Sequence, residues 1–284
     1  MTYSSIKRAA VIGWPIGQSL SPLIHKHWFE RYEIAGEYRK IAVEPDHLET
    51  ALQGFIRGNE FIPDGLDGFN ITVPHKEKVI PFLDKVAPMA KRLGAVNTVM
   101  IKDGVTTGFN TDITGLKKQL DVTVPDWPKE RPVLILGAGG AARATISAFL
   151  STEVPFIMLS NRTKAKAEVL ANELGQGRVT VVDWDDRHDA VTGAGVVVNT
   201  SSLGMVGQPP LELDLSHADP ETVVYDIVYK PLETPLLKSA KDRGLRTVDG
   251  LGMLVYQAAG AFKIWFGVDP DYDSQLKEKL LAAL

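Results

Sequence analysis

The apolar run Val133-Leu134-Ile135-Leu136 leads directly into Gly137-Ala138-Gly139-Gly140-Ala141-Ala142, and this junction constrains the fold more than any other part of the chain. In a GxGxx[GA] turn the first glycine permits the tight turn and the second lets backbone approach a pyrophosphate. The third small residue packs the helix on the strand. Gly137, Gly139 and Ala142 hold those places. The free N–H groups of Gly140, Ala141 and their neighbours would face the phosphates. From Val133 onward a βαβ rhythm follows. It predicts strands at 132–137, 154–160, 178–183, 195–199, 222–228 and 245–248. Helices are expected at 140–150, 163–174, 250–265 and 274–284. Such alternation predicts a Rossmann-like, doubly wound α/β domain.

The first half alternates in the same way. Ala9 to Gly13 reads as a short buried strand, and Ser21-Pro22 opens a helix with serine as N-cap and proline at the first position. Glu37 to Val43 reads as a strand, Pro45 to Phe55 as a helix, and Leu66 to Val73 as a strand ending at Pro74. A mostly parallel sheet follows from this order. Asp103-Gly104, between two β-rich runs, predicts a hairpin. Pro125, Pro128 and Pro132 break the period thereafter, so a domain boundary is expected between about 112 and 131. The expected domains are 1–112 and 113–249.

Two groups of residues carry candidate chemistry. In the second half, Asn161-Arg162-Thr163 follows the strand after the glycine turn, where an acidic residue would hold the ribose 2′-hydroxyl of NAD. No acid is present, and Arg162, backed by Lys164 and Lys166, would instead meet a 2′-phosphate, favouring NADP. Asn199-Thr200-Ser201-Ser202 leaves a buried strand at its C-terminal end, where ligands of open α/β sheets bind. In the first half, Lys76 stands just past a strand end in Asn70-Ile71-Thr72-Val73-Pro74-His75-Lys76. It is expected at the start of a helix, against the dipole, a local conflict of the kind that marks a site. A desolvated lysine can donate or accept a proton. Asp112 could orient and balance it, and Asn97 could hold a substrate hydroxyl. Ser19 and Ser21 flank Leu20, so their hydroxyls face the same way in an extended segment and suit a carboxylate or paired hydroxyls. Thr72 could point into the same space.

Composition removes other classes. The 284 residues carry a net charge of −4, so no general attraction to nucleic acid or anionic membrane is expected. There is no cysteine, which excludes disulfides and thiolate metal sites and fits a cytoplasmic protein. Met1 to Arg8 is polar and lacks a signal-peptide core, and no run approaches the ~20 apolar residues of a membrane span. His25, His27, His47, His75, His188 and His217 form no metal-spaced pair, so no metal is expected.

Taken in order, these motifs closely resemble the shikimate dehydrogenase family over nearly the whole chain. Gly13 to Pro22 resembles its substrate-binding serine segment, and Asn70 to Lys76 its NVTVPxK element. Gly94-Ala95-Val96-Asn97-Thr98 and Asn110-Thr111-Asp112 resemble the next two elements. Gly137 to Arg143 and Asn161-Arg162-Thr163 resemble its NADP motifs, and Asp226-Ile227-Val228-Tyr229 and Asp249 to Gln257 its closing elements. The resemblance implies that Lys76 and Asp112 form the catalytic pair. Ser19, Ser21, Thr72, Asn97, Asp112 and Gln257 would hold the hydroxyls and carboxylate of shikimate, with Tyr229 lining the same cleft. Gly137, Ala138, Gly139, Gly140, Ala141, Asn161, Arg162, Thr163, Thr200, Ser201 and Gly250 would hold NADP. It further implies a substrate domain rejoined by C-terminal helices 250–284, a cofactor domain, and a cleft between them. The implied activity is reversible reduction of 3-dehydroshikimate by NADPH, by a monomer or homodimer. Gln18, Phe109 and Ile113-Thr114-Gly115 depart from the family pattern without removing a catalytic side chain. They bear on preference for shikimate over quinate. A quinate/shikimate dehydrogenase using NAD or NADP is the nearest alternative. A cofactor-binding regulator without turnover is another, and an enzyme acting on an unrelated small hydroxy acid is a third.

Overall fold

The computed structural model describes residues 6–58 and 65–284; residues 1–5, part of the polar N-terminal stretch, and residues 59–64 lie outside that description. The chain divides into two compact units. Unit 1 holds Met1–Thr111 and Gln257–Ala283, and unit 2 holds Asp112–Tyr256 with Leu284.

Unit 1 begins with β1 (Lys7–Gly13), α1 (Ser21–Arg31), β2 (Gly36–Ala42), α2 (Leu48–Arg57) and β3 (Gly68–Ile71). It continues through β4 (Lys85–Val86), α3 (Pro88–Leu93), β5 (Thr98–Lys102) and β6 (Val105–Phe109). The six strands order as β2-β1-β3-β5-β6-β4. β1 pairs in parallel with β2 and β3, but β5 enters antiparallel to β3 and β6, so the sheet is mixed where the hairpin joins it. The hairpin turns through Asp103 at φ 52° and Gly104 at φ 75°, as a two-residue turn with two left-handed positions requires. Ala10, Ile12, Phe69 and Ile71 pack against Leu52 and Phe55 of α2 on one face.

The opposite face of β1 meets the C-terminal part of the chain, where Ala9 packs with Ala261 and Trp265. Trp265 Nε1 donates to the Val99 carbonyl at 2.8 Å. Any side chain at Gly68 would collide with that indole, so glycine is what lets the ring lie on the strand. His25 of α1 is fully buried here, its ring stacked on Tyr38 at 3.9 Å and 3° between planes. Trp28, Phe262 and Trp265 surround it.

Unit 2 contains α4 (Asp112–Thr123), β7 (Val133–Leu136), α5 (Gly140–Leu150), β8 (Ile157–Ser160), α6 (Lys164–Leu174) and β9 (Val179–Val182). Then come β10 (Val196–Asn199), β11 (Val223–Asp226), α7 (Pro235–Asp242), β12 (Arg246–Val248) and α8 (Leu251–Phe266), whose later turns belong to unit 1 with α9 (Ser274–Ala283). The strands order as β12-β11-β10-β7-β8-β9, every pairing parallel. Counted from β7, this is the doubly wound order with its reversal between the first and fourth strands. Val133 and Ile135 face one core, and Leu134 and Leu136 face the other. The continuous apolar run is thereby explained: both faces of a parallel sheet are covered.

Three local readings change. Ser21 is the first residue of α1 rather than its cap; Leu20 holds the cap position and makes no side-chain cap bond. Lys76 does not open a helix. It lies in a turn that leads only to a short 3₁₀ segment, Ile80–Phe82, because Pro81 lacks the N–H that a helix running on from Lys76 needs. The dipole argument for Lys76 therefore does not apply. Helix α4 fills part of the expected boundary region, with Leu116 and Leu120 turned into the core.

Among the described residues no helix is long and apolar enough to cross a membrane. No group of three or more potential metal ligands occurs among them either.

Burial holds His25 at a pKa of about 3, against 6.5 in the unfolded chain. The folded state therefore favours the neutral ring. That preference is fully expressed above pH 6.5 and is lost as pH falls toward 3, by about 2 kcal/mol at pH 5. His25→Phe should accordingly flatten the fall in Tm between pH 7 and 5, measured by calorimetry. An unchanged pH slope would contradict the assignment.

Candidate active site

In unit 1 the polar side chains of the first half form two hydrogen-bonded groups, a serine pair and a row around Asn97. Ser19 Oγ lies 3.2 Å from Ser21 Oγ and accepts from the Ser21 amide at 3.3 Å, so the two hydroxyls do share a side. Asn97, 2% exposed just before β5, is fixed from several directions. Its amide donates to the Phe109 carbonyl at 3.0 Å, and its Oδ1 accepts from the Thr111 amide at 2.8 Å. Its Nδ2 donates to Thr111 Oγ1 at 2.9 Å and to Gln257 Oε1 at 3.3 Å. Gln257 on α8 is thus brought to Asn97 across 160 residues of sequence. Thr72 is held by its amide, which donates to the Ile12 carbonyl at 2.9 Å. A Cβ at Gly13 would come within 2.5 Å of Thr72 Cγ2, so the absent side chain is what admits the threonine. The Thr72 hydroxyl has no partner among the described residues and is open to a ligand.

Lys76 is positioned by its main chain. Its carbonyl accepts from the Val96 amide at 2.8 Å, which ties it to the residue before Asn97. The preceding His75 is fully buried and donates from Nε2 to the Val43 carbonyl at 2.7 Å. A carbonyl can only accept, so the proton sits on Nε2. The turn bearing Lys76 is therefore anchored at both ends. Asn110 donates to the Ala95 carbonyl at 3.1 Å, closing the strand that delivers Thr111 and then Asp112.

The row also contains residues that sequence reading did not assign to it. Asn70 Nδ2 donates to the Asn97 carbonyl at 3.2 Å and to Thr98 Oγ1 at 3.0 Å. Tyr38 donates to Asn70 Oδ1 at 2.7 Å. Asn70 was visible within its motif, but Tyr38 lies on β2 and carried no local signal.

In unit 2 the glycine turn and the loop after β10 meet at the reversal of strand order. Gly137 has φ +111°, a region that favours glycine, and a Cβ there would lie 2.8 Å from Thr200 Oγ1. Gly137 donates to the Ser160 carbonyl at 2.8 Å. Gly139 occupies the cap position of α5 with no side-chain cap bond, and a Cβ there would meet nothing within 4 Å. Open space thus stands before the unpaired first amides of α5, Gly140 and Ala141 among them, with Ala138 leading in.

The hydroxyls of Thr200 and Ser201 are engaged inside their own loop. Thr200 donates to the Leu136 carbonyl at 2.9 Å, and Ser201 to Asn199 Oδ1 at 2.7 Å. Asn199 in turn donates to Asp226 Oδ1 at 3.0 Å. Burial pushes the Asp226 carboxyl up, while bonds from Thr234, the Val228 amide and Asn199 pull it back. Gly250 abuts β11 so closely that any side chain would strike the Ile227 backbone. Tyr229 is half-buried just beyond that strand, its hydroxyl pushed up by burial.

Asn161 Nδ2 donates to the Thr163 carbonyl at 2.8 Å. Thr163 holds the cap position of α6 without a side-chain cap bond, which leaves its hydroxyl open. Lys164 is paired with Asp183 at 2.7 Å and so is not a free cation for a phosphate. Arg162 is exposed and makes no ion pair or side-chain hydrogen bond among the described residues. An open glycine cap, unpaired amides and an unpaired guanidinium fit a dinucleotide bearing a 2′-phosphate.

Comparison with known proteins agrees with this chemistry. Residues 11–99 match the shikimate dehydrogenase substrate binding domain, residues 122–224 the shikimate / quinate 5-dehydrogenase model, and residues 250–274 the shikimate 5'-dehydrogenase C-terminal domain. The NADP(+) shikimate dehydrogenase of Azorhizobium caulinodans is 48% identical over 280 residues, covering 98% of this chain and 97% of that protein. The shikimate 5-dehydrogenase of Thermus thermophilus, solved with NADP(H) and shikimate, superposes with a TM-score of 0.86 at 34% identity, over 98% of this chain and 100% of that one. Quinate dehydrogenase of Corynebacterium glutamicum, solved with NAD, gives 0.87 at 32% identity, over 98% and 99% of the two chains.

Removing Asn199 would leave the buried Asp226 and the Ser201 hydroxyl each short of a partner. Asn199→Ala should cost about 2–4 kcal/mol in urea denaturation. Wild-type stability in that variant would contradict the role given to the chain from Asp226 to Ser201.

Proposed function

The chain belongs to the shikimate dehydrogenase family, and from that premise we propose that it catalyses the reversible, NADP-dependent interconversion of shikimate and 3-dehydroshikimate on the route to chorismate. The observation that carries the reading is the polar chemistry of unit 1, in which a serine pair, Ser19 and Ser21, and a hydrogen-bonded row containing Asn97 and Gln257 are held ready for a small polyhydroxylated acid. Ser19 and Ser21 would take the carboxylate, and Asn97, Gln257 and the open hydroxyl of Thr72 the ring hydroxyls. Tyr229 would line the ring. The enzyme would act in the cytoplasm on this small molecule, as a monomer or homodimer.

Gly137, Ala138, Gly139, Gly140 and Ala141 would hold the pyrophosphate of NADP, and Asn161, Arg162 and Thr163 its adenosine ribose with the 2′-phosphate. Thr200, Ser201 and Gly250 would shape the wall beside it, the first two through backbone and packing. When bound, this group supplies or takes up hydride.

The protein's own chemistry centres on the substrate oxygen. Lys76 is assigned the group that holds the proton there. Its Nζ gives a proton to the carbonyl oxygen on reduction and takes one from the hydroxyl on oxidation. Its positive charge also stabilises the oxygen as negative charge develops. Asp112 is assigned the balancing carboxylate, which keeps the lysine charged before transfer.

The departures at Gln18, Phe109 and Ile113-Thr114-Gly115, together with the likeness to a quinate dehydrogenase, make quinate the competing substrate to test. Purified protein should form NADPH from shikimate and NADP faster than it turns over quinate or uses NAD. Absence of turnover with both acids would overturn the reading. Lys76→Ala should lower kcat by about a thousandfold or more with NADPH affinity unchanged, the latter followed by fluorescence titration. Near-normal turnover would remove Lys76 from the mechanism. Arg162→Ala should raise KM for NADP about tenfold or more and leave KM for NAD little changed. Equal effects on both cofactors would refute the 2′-phosphate contact.

A further inference from the structure

The turn assigned to the 2′-phosphate in unit 2 is faced by acid. Strands β8 and β9 run in parallel with Ser160 opposite Val182, so the residues that follow, Asn161-Arg162-Thr163 and Asp183, leave the sheet side by side. Ser160 Oγ donates to the Asp183 carbonyl at 3.4 Å, which holds the two segments together at that point. Asp185 and Asp186 follow in the 3₁₀ segment Asp185–Arg187, and all three aspartates are exposed. Such a run opposes the binding of an anion beside it.

One of the three is answered. Lys164, the first residue of α6, places Nζ 2.7 Å from Asp183 Oδ1. That hydrogen bond and the opposite charge raise the Lys164 ammonium above its ordinary value, so the lysine is charged at neutral pH. The two side chains are 52% and 53% exposed, and an ion pair so exposed adds little to stability. What the pair alters is the field beside Arg162. An unpaired carboxylate at that place would repel a 2′-phosphate. It would also offer acceptors to the free ribose hydroxyls of NAD, the part an acid plays in NAD-binding sheets. With Lys164 bound to it, Asp183 does neither. Arg162 and Lys166 make no ion pair among the described residues, so Lys164 is the cation of this turn committed to an acid rather than left to a ligand.

On the reading of Asn161-Arg162-Thr163 as the 2′-phosphate turn, we propose that Lys164 determines preference for NADP over NAD by acting through Asp183. It cancels that carboxylate and does not itself touch the phosphate.

Lys164→Met removes the charge and keeps the stem, and Asp183→Asn removes the opposing charge at nearly equal size. Initial rates of shikimate oxidation are measured with NADP and with NAD for the wild type, Arg162→Ala, Lys164→Met and the double variant Lys164→Met/Asp183→Asn. Absent turnover in the wild type, or equal effects of Arg162→Ala on both cofactors, would overturn the underlying reading itself. With an NADP-selective loss in Arg162→Ala, Lys164→Met should raise KM for NADP about fivefold. KM for NAD, KM for shikimate and kcat should stay within about twofold of wild type. The double variant should return KM for NADP to within about twofold of wild type, because the charge that Lys164 cancelled is gone. Raising salt from about 0.05 to 0.5 M should shrink the Lys164→Met penalty to less than about twofold, since exposed charges are screened. An unchanged KM for NADP in Lys164→Met overturns the proposal. So does an equal rise for NAD, or a penalty that high salt leaves undiminished. A fivefold penalty that persists in the double variant also overturns it, because Lys164 would then meet the phosphate directly.

Discussion

A single buried amide organises the first unit. Asn70 sits in β3 with 4% of its surface exposed, and a buried amide without partners would be costly. Its donors meet the Asn97 carbonyl and Thr98, and its oxygen takes the Tyr38 proton. Asn97 in turn holds Thr111 and Gln257, so that the end of the hairpin and a helix from the far end of the chain are tied to the same place. The strands around it are apolar on their core faces. The polar row is therefore confined to one place, and a ligand with several hydroxyls and a carboxylate is the kind of molecule it can satisfy.

The second unit solves a different problem, that of bringing backbone close to phosphate. Here the decisive feature is an absence of side chains. Gly137 takes a left-handed turn beneath Thr200, while Gly139 leaves clear space before the first amides of α5. The reversal of strand order between β7 and β10 puts both loops at one end of the sheet. Asp226, Asn199 and Ser201 brace the neighbouring loop from behind, so its shape does not depend on a ligand.

Legibility in the sequence followed the range of the interactions. The strand-turn-helix at β7 and α5 was readable because its signal lies within a dozen residues, and the hairpin at Asp103-Gly104 because two left-handed positions specify it locally. The helix start expected at Lys76 is absent for an equally local reason, since Pro81 interrupts any helix that would run on from it. Helix α4 was hidden by the prolines that follow it, although Ile113, Leu116 and Leu120 carry its stripe. Nothing local to Lys164 signals its pairing with Asp183 just past the next strand, and nothing local to Tyr38 signals its bond to an asparagine 32 residues away. The Tyr38–Asn70 bond is a product of the register between β1, β2 and β3, which side-chain pattern alone leaves open. Ser19, Ser21, Thr72 and Asn97 are legible from their own spacing and chemistry, Gln257 and Tyr229 only through the resemblance, and Tyr38, which holds Asn70 in place, only from packing.

The most direct test of the account is a crystal structure of the protein with shikimate bound. The account predicts the carboxylate against Ser19 and Ser21 and the ring hydroxyls against Asn97, Gln257 and Thr72. Shikimate seated elsewhere, or with its carboxylate turned away from the serine pair, would contradict it.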